Sequence, residues 1–193
     1  MTRLVLLDRD GVINEDSEQF IKSPEEWQPI PGSLEAIARL NQAGYRVVVV
    51  TNQSGIARGL FDPVMLDRIH RKMHAALAAA GGKIDAVFFC PHGPRDGCRC
   101  RKPRPGLFED VARRLNISLH DVYAVGDALR DLEAARAAGA RPVLVRTGKG
   151  SATERAGKGL KGVPVFADLS AFADALLADR LDCGQRPAPG KSS

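Results

Sequence analysis

Leu4-Val5-Leu6-Leu7-Asp8-Arg9-Asp10-Gly11 decides the architecture of this chain. Four consecutive apolar residues stop abruptly at two acids and a glycine. A strand with one wet face alternates polar with apolar residues, whereas an unbroken run is buried on both faces, as in the interior of a parallel sheet. The pattern recurs. Arg46 to Val50 runs into Thr51-Asn52, Ala86 to Phe89 into Cys90, Val122 to Val125 into Gly126-Asp127, and Pro142 to Val145 into Arg146-Thr147, with Val163 to Phe166 as a sixth candidate.

Helical patterns fill the intervals. Ser33 is expected to N-cap a helix that turns Leu34, Ile37, Ala38 and Leu40 inward and closes at Gly44. Asp62-Pro63 opens a longer helix with Leu66, Ile69, Met73, Ala76 and Leu77 on one stripe, ended by Gly81-Gly82. Leu107 to Leu115, Asp131 to Ala138 and Leu169 to Leu177 are the remaining helices, and Gly148 to Gly162 reads as a Gly/Lys-rich loop. Strand–helix alternation predicts an α/β fold, a parallel sheet with helices on both faces. Residues 1–182 are expected to form one domain and 183–193 a tail.

The 193 residues are 44% hydrophobic and 26% charged, the balance of a single globular domain rather than a disordered or fibrous chain. No apolar run reaches the roughly 20 residues of a membrane span and no signal-like segment follows Met1, so the expectation is a cytoplasmic monomer with no membrane partner. The net charge of +5 is uneven: Arg95 to Arg104 carries five bases against one acid. With 5% aromatic residues, stacking platforms for nucleic acid are not expected. A local basic surface suits a phosphorylated small molecule.

In open α/β sheets reactive groups gather beyond the carboxyl ends of the strands. Those ends deliver Asp8 and Asp10, Thr51 to Ser54, Asp127 and Asp131, while Lys102 follows the loop that leaves the third strand. Clustered carboxylates repel one another unless a cation sits among them, and an all-oxygen cluster favours Mg²⁺. A second cluster is of another kind. Cys90-Pro91-His92 and Cys98-Arg99-Cys100 place three thiols and an imidazole within eleven residues, a donor set that selects tetrahedral Zn²⁺ of a structural kind. Lys102 lies two residues beyond the last of these ligands, so the ion would pin the loop that carries Arg101 and Lys102. Cys183 falls outside the cluster.

Asp8-x-Asp10-Gly11, Thr51-Asn52, Lys102 and Gly126-Asp127-x-x-x-Asp131, in this order after successive strands, resemble the haloacid dehalogenase superfamily of phosphohydrolases. The resemblance implies a three-layer Rossmann-like fold and an aspartyl-phosphate mechanism. Asp8 would be the nucleophile, Asp10 the acid and then the base, and Thr51 and Lys102, with Asn52, would hold the phosphoryl oxygens. Mg²⁺ would be held by Asp8, Asp127 and the backbone carbonyl of Asp10, with Asp131 orienting Lys102 or a metal-bound water. The zinc loop narrows the resemblance to a subfamily of small-molecule phosphatases. Within it the chain is most similar to members that remove the C7 phosphate of a heptose 1,7-bisphosphate, a step toward nucleotide-activated heptose and lipopolysaccharide cores; members acting on histidinol phosphate are the alternative.

Neither the stretch from Gly11 to Gly32 nor that from Gln53 to Asp62 is long enough for a separate cap domain, so loops must recognise the substrate. Gln53, Ser54, Arg58, Arg101 and Arg130 are the candidates, the arginines pairing with a second anion. Histidinol would present an ammonium to that basic rim. Asp16-Ser17-Glu18-Gln19 and Ala128 depart from the Gly-Tyr and Lys that some family members carry there, which leaves the anomer preference open. His70 and His74 are expected on the solvated flank of their helix, Phe20 and Trp27 in local packing, and Lys149, Arg155, Lys158 and Lys161 in a solvated loop. A zinc-stabilised nucleic-acid-binding module would use the basic surplus but leaves the acidic motifs without a role, and a polynucleotide 3′-phosphatase would need an extended basic groove.

Overall fold

A computed structural model describes residues 3–179 and 181. Six strands, β1 (Leu4–Leu7), β2 (Arg46–Asn52), β3 (Ala86–Cys90), β4 (Tyr123–Gly126), β5 (Arg141–Val145) and β6 (Val165–Phe166), form one parallel sheet in the order β3-β2-β1-β4-β5-β6. Six helices lie between and after them: α1 (Ser33–Gln42), α2 (Pro63–Ala79), α3 (Gly106–Leu115), α4 (Leu129–Ala137), α5 (Gly150–Ala156) and α6 (Leu169–Leu177). This is the predicted three-layer α/β architecture. Cys183 and the expected tail lie outside the described residues.

Successive strand residues point to opposite faces, and both faces are apolar, so the sheet needs two cores. Val5, Leu7, Val47 and Val49 pack with Ile37 and Leu40 of α1, Ile69 and Met73 of α2, and Phe172 of α6. On the other face Leu4, Leu6, Val48 and Val50 meet Leu107, Phe108 and Val111 of α3 and Ala134 and Ala135 of α4. Each fully buried aliphatic side chain contributes about 1.5–3 kcal/mol of transfer free energy, and all eight of these strand residues are at most 2% exposed. Truncating Leu6 to Ala would therefore cost about 2–5 kcal/mol.

The chain leaves β1 toward β2 and β3 on one side, then returns to β4 on the other. Strand order thus reverses between β1 and β4, and a cleft opens beyond their carboxyl ends, where ligands bind in such sheets. Register fixes what reaches it: Leu7 pairs with Val125, so Asp8 and Asp127 emerge side by side.

Three local expectations are corrected. Ser33 is not the cap of α1. Gly32, at φ 81°, turns the chain into the helix, and the Ser33 hydroxyl donates instead to the carbonyl of Ile13 at 2.6 Å, tying the first loop to the helix. The segment after Gly148 is not all loop, because α5 occupies Gly150–Ala156. Gly150 starts it where any Cβ would strike the Val145 carbonyl. Finally α4 begins at Leu129, which places Asp131 in its first turn with Oδ2 accepting from the Ala128 amide at 3.0 Å.

Candidate active site and sulfur–imidazole cluster

Asp8, directly after β1, is 5% exposed. Its Oδ1 accepts from the Arg9 amide at 2.8 Å and from Lys102 Nζ at 3.1 Å. Lys102 is 2% exposed and spends its other donors on Asp131 Oδ1 at 2.7 Å and the Val50 carbonyl at 2.8 Å. Its ammonium is therefore held from three directions. Burial alone would lower the Lys102 pKa, but the charges of Asp131 and Asp8 outweigh it and hold the pKa above the usual lysine range.

Asn52, closing β2, positions this lysine through its backbone. Its amide nitrogen donates to the Lys102 carbonyl and its amide oxygen accepts from the Lys102 N–H, both at 3.1 Å. Gln53 bridges inward, donating to Thr51 Oγ1 at 3.0 Å and to Asp10 Oδ2 at 2.9 Å. Ser54 is buried at the end of the same turn. Asp10 also takes Arg9 on both carboxylate oxygens and Asn14 on Oδ1, and its side chain keeps 21% exposure. Burial pushes the Asp10 carboxyl up, yet the Arg9 charge and the bonds from Asn14 and Gln53 outweigh it and hold it below the usual range.

Asp127 behaves oppositely. Among the described residues its Oδ2 accepts only the Lys149 amide, at 2.7 Å, and its buried Oδ1 has no hydrogen-bond partner. Burial first, then the charges of Asp131 and Asp8, raise its pKa to about 8; burial likewise carries Asp8 to about 6 against the pull of Lys102. Oxygens of Asp8, Asp127 and Asp131 lie within 4.8 Å of one another. Two buried acids held above their usual range, one with an orphaned oxygen, with a third carboxylate beside them, form the donor set of a hard dication, and the residues fit Mg²⁺. Backbone shape makes room for them: a Cβ on Gly11 (φ 81°) or on Gly148 (φ 55°) would overlap the Asp127 carboxylate.

A cleft of about 210 Å³ opens above this floor, lined by Asp8, Asp10, Thr51, Asn52, Gln53 and Ser54 and rimmed by Arg58, Arg101 and Arg130. All the predicted substrate-contact positions thus meet at one cleft. The rim also holds residues that sequence reasoning placed elsewhere. Phe20, expected in local packing, lines the cleft in a left-handed conformation (φ 67°), with the Arg58 guanidinium 5.4 Å from its ring centre. Lys149, expected in a solvated loop, pairs with Asp16 at 2.8 Å across the mouth. His70, expected on a solvated flank, is buried against Arg9 at 3.2 Å, whereas His74 is exposed. Trp27 is packed in the core as expected. Arg9, buried and bonded to Asp10, Gln53 and His70, was given no role by the sequence pattern.

At the end of β3 the second cluster closes. Cys90 Sγ lies 3.7 Å from Cys98 Sγ and 3.2 Å from Cys100 Sγ, and His92 Nδ1 lies 3.5 Å and 3.2 Å from the sulfurs of Cys90 and Cys100. Zn–S bonds of about 2.3 Å in a tetrahedron separate sulfurs by about 3.8 Å, so the set matches a slightly contracted tetrahedron. Burial pushes the Cys90 thiol up to about 12, so only a cation at the centre would make it a thiolate at neutral pH. The cluster is wired to the cleft, since Arg101 donates to the His92 carbonyl at 3.2 Å.

Comparison with known proteins agrees with this geometry. A haloacid dehalogenase-like hydrolase model matches residues 5–61 and a HAD-hydrolase-like model matches residues 99–172. The D-glycero-beta-D-manno-heptose-1,7-bisphosphate 7-phosphatase of Bordetella bronchiseptica is 58% identical over 177 residues, covering 92% of this chain and 99% of that one. The enzyme of the same name from Pseudomonas aeruginosa is 52% identical over 175 residues, covering 90% and 97%. The crystal structure of the D,D-heptose 1,7-bisphosphate phosphatase from B. bronchiseptica, complexed with magnesium and phosphate, superposes with a TM-score of 0.90 at 58% identity, covering 92% and 99%. Among the described residues no helix is long and apolar enough to cross a membrane.

Proposed function

Because this chain belongs to the haloacid dehalogenase-like hydrolases, we propose that it is a magnesium-dependent phosphatase removing the C7 phosphate of D-glycero-β-D-manno-heptose 1,7-bisphosphate. The observation that carries the reading is the meeting of Asp8, Lys102, Asp127 and Asp131 on the floor of one cleft at the strand-order reversal. Relatives at more than 50% identity carry the name of that activity. Their names specify the β anomer, the choice left open by Ala128 and the 16–19 stretch. The product would feed nucleotide-activated heptose for lipopolysaccharide cores.

The Arg9 amide and Lys102 occupy Oδ1 of Asp8, which leaves Oδ2 to attack phosphorus in line with the C7 oxygen. The P–O7 bond breaks as Oδ2–P forms, and Asp10 gives its proton to the departing alkoxide. Held ionised in the free protein, Asp10 acquires that proton when the phosphate dianion arrives beside it, since a like charge raises a carboxyl pKa. Asp10 then takes a proton from water as that water attacks the aspartyl-phosphate. The Thr51 hydroxyl donates to the phosphoryl oxygens, a positioned donor being worth about 3 kcal/mol in such chemistry, and the donor that Lys102 gives to Asp8 Oδ1 turns to them as that carboxylate loses its charge to phosphorus. Asp8, Asp127 and the Asp10 carbonyl would hold Mg²⁺, which neutralises charge gathering on the phosphoryl oxygens. Asp131 keeps Lys102 in place.

Arg58 and Arg101 line the cleft and pair with the C1 phosphate, while Arg130, whose charge acts on Asp8, Asp127 and Asp131, stands between that anion and the floor. Zn²⁺ on Cys90, His92, Cys98 and Cys100 would fix the loop that leads into Arg101 and Lys102. The test is Mg²⁺-dependent phosphate release from the heptose bisphosphate, set against histidinol phosphate and a 3′-phosphorylated oligonucleotide. Preference for the sugar, abolished by Asp8→Asn, is the expected result; preference for either competitor overturns the substrate, and turnover by Asp8→Asn overturns the nucleophile.

A further inference from the structure

Arg9 is wholly buried, and its guanidinium reaches Asp10, Gln53 and His70. Nε and Nη2 hold Asp10 at 2.9–3.1 Å, and Nη2 also reaches Gln53 Oε1 at 3.2 Å, the side chain that itself donates to Asp10. Nη1 lies 3.2 Å from His70 Nε2, on α2 and 61 positions away. A guanidinium has donors only. His70 Nε2 must therefore accept, which puts the ring proton on Nδ1 and requires a neutral imidazole. Its surroundings favour that state: burial, then Arg9 and His74, lower its pKa to about 4 against the weaker pull of Asp10 and Asp67, and the Phe89 ring packs edge-on at 6.5 Å.

We propose that His70 is a positioning residue for phosphoryl transfer: as a neutral acceptor it fixes the Arg9 guanidinium, which in turn aims the Asp10 carboxyl at the leaving oxygen. The inference rests on Asp10 being the acid and base of the reaction. Asp10 alone is exposed enough to swing toward solvent, and Arg9 can hold it still only if the fork itself cannot rotate. Three contacts define that plane: Asp10 on one edge, Gln53 on Nη2, His70 on Nη1. Without His70 one buried end of the fork loses its acceptor, and the Arg9–Asp10 pair tilts as a unit.

The experiment compares His70→Ala and His70→Gln, whose side-chain amide oxygen restores a neutral acceptor, on heptose bisphosphate and on p-nitrophenyl phosphate. Misaiming by a fraction of an ångström predicts about a tenfold fall in kcat/KM for the sugar phosphate with His70→Ala. The nitrophenolate leaves without a proton, so its kcat/KM falls about twofold at most. His70→Gln recovers most of the loss. An equal fall on both substrates, or none on either, overturns the proposal, as does a Gln variant no better than Ala. Imidazole ¹⁵N shifts of the unaltered protein give a readout that survives even if a variant fails to fold: the Nδ1–H tautomer is expected, and an Nε2–H ring refutes the Arg9 contact. Asp8→Asn run in parallel separates the two readings, since turnover by that variant sinks the aspartyl mechanism itself.

Discussion

Lys102→Met tests the electrostatics of the floor most directly. Methionine keeps the length of the stem and removes the ammonium, stranding the Asp8 and Asp131 carboxylates and the Val50 carbonyl that Lys102 holds at 3.1, 2.7 and 2.8 Å. All of this happens at a position 2% exposed, where water cannot substitute. Breaking a buried pair by removing one partner costs about 3–5 kcal/mol. At about 2–4 °C per kcal/mol for a chain of this size, the melting temperature should fall by roughly 10–15 °C. The cost arises from uncompensated charge, so adding Asp131→Asn should give some of it back. The amide keeps an oxygen for the Ala128 N–H, carries no charge, and should leave the double variant about 2 kcal/mol more stable than Lys102→Met alone. Phosphate release should not return with stability, because the donor to the phosphoryl oxygens is still missing. Urea melts at pH 7.5 in Mg²⁺-free buffer, with turnover measured alongside, decide the matter. Simple addition of the two single costs would refute the reasoning, since it would mean that the lysine contributes packing rather than charge.

Gly11→Ala should leave the sheet intact while lowering turnover by about 10²-fold, because its Cβ must displace the Asp127 carboxylate at φ 81°; a magnesium titration should show weakened binding. On the proposed zinc site, a chelator should release about one zinc per chain by mass spectrometry and slow turnover at least about tenfold while circular dichroism holds, since the loop before Lys102 loses its anchor; a chain that yields no zinc refutes the assignment. His70 makes stability depend on pH in a defined direction. Its folded pKa of about 4 lies below the unfolded 6.5, so the stabilisation is complete above pH 6.5 and drains away as pH falls toward 4. Between pH 7 and pH 5 the loss should be about 2 kcal/mol in urea melts, and His70→Gln should lack that slope.

The strands and the acids at their ends were legible in the sequence because both obey local rules. An apolar run without alternation can be satisfied only inside a parallel sheet, and Asp8, Thr51 and Asp127 follow such runs directly. Asp62-Pro63 was readable as a cap for the same reason, its carboxylate accepting from the Met65 amide at 2.7 Å. What escaped the sequence depends on partners far along the chain. Gly and Lys between residues 148 and 162 argue for loop by composition, yet α5 forms where Thr153 Oγ1 reaches the Asp127 carbonyl at 2.9 Å. Lys149 is drawn to the mouth by Asp16, and His70 is buried by an arginine that no helical periodicity contains. Phe20 needs a left-handed backbone to reach the cleft, a conformation that its own residue type argues against. Ser33 had the composition of a cap, but Gly32 already made the turn.

Gly11 and Gly148 give one side of the cleft a wall of naked polypeptide, tight against Asp127. Mutation has nothing to work with there, since any new side chain collides with the group the wall supports. Room for change is left to the side chains that line the rest of the cleft, among them Asp16, Ser17, Glu18, Phe20, Arg58 and Arg101. On the proposed function, the backbone wall locks the acids in place while the side chains lining the rest of the cleft stay open to drift.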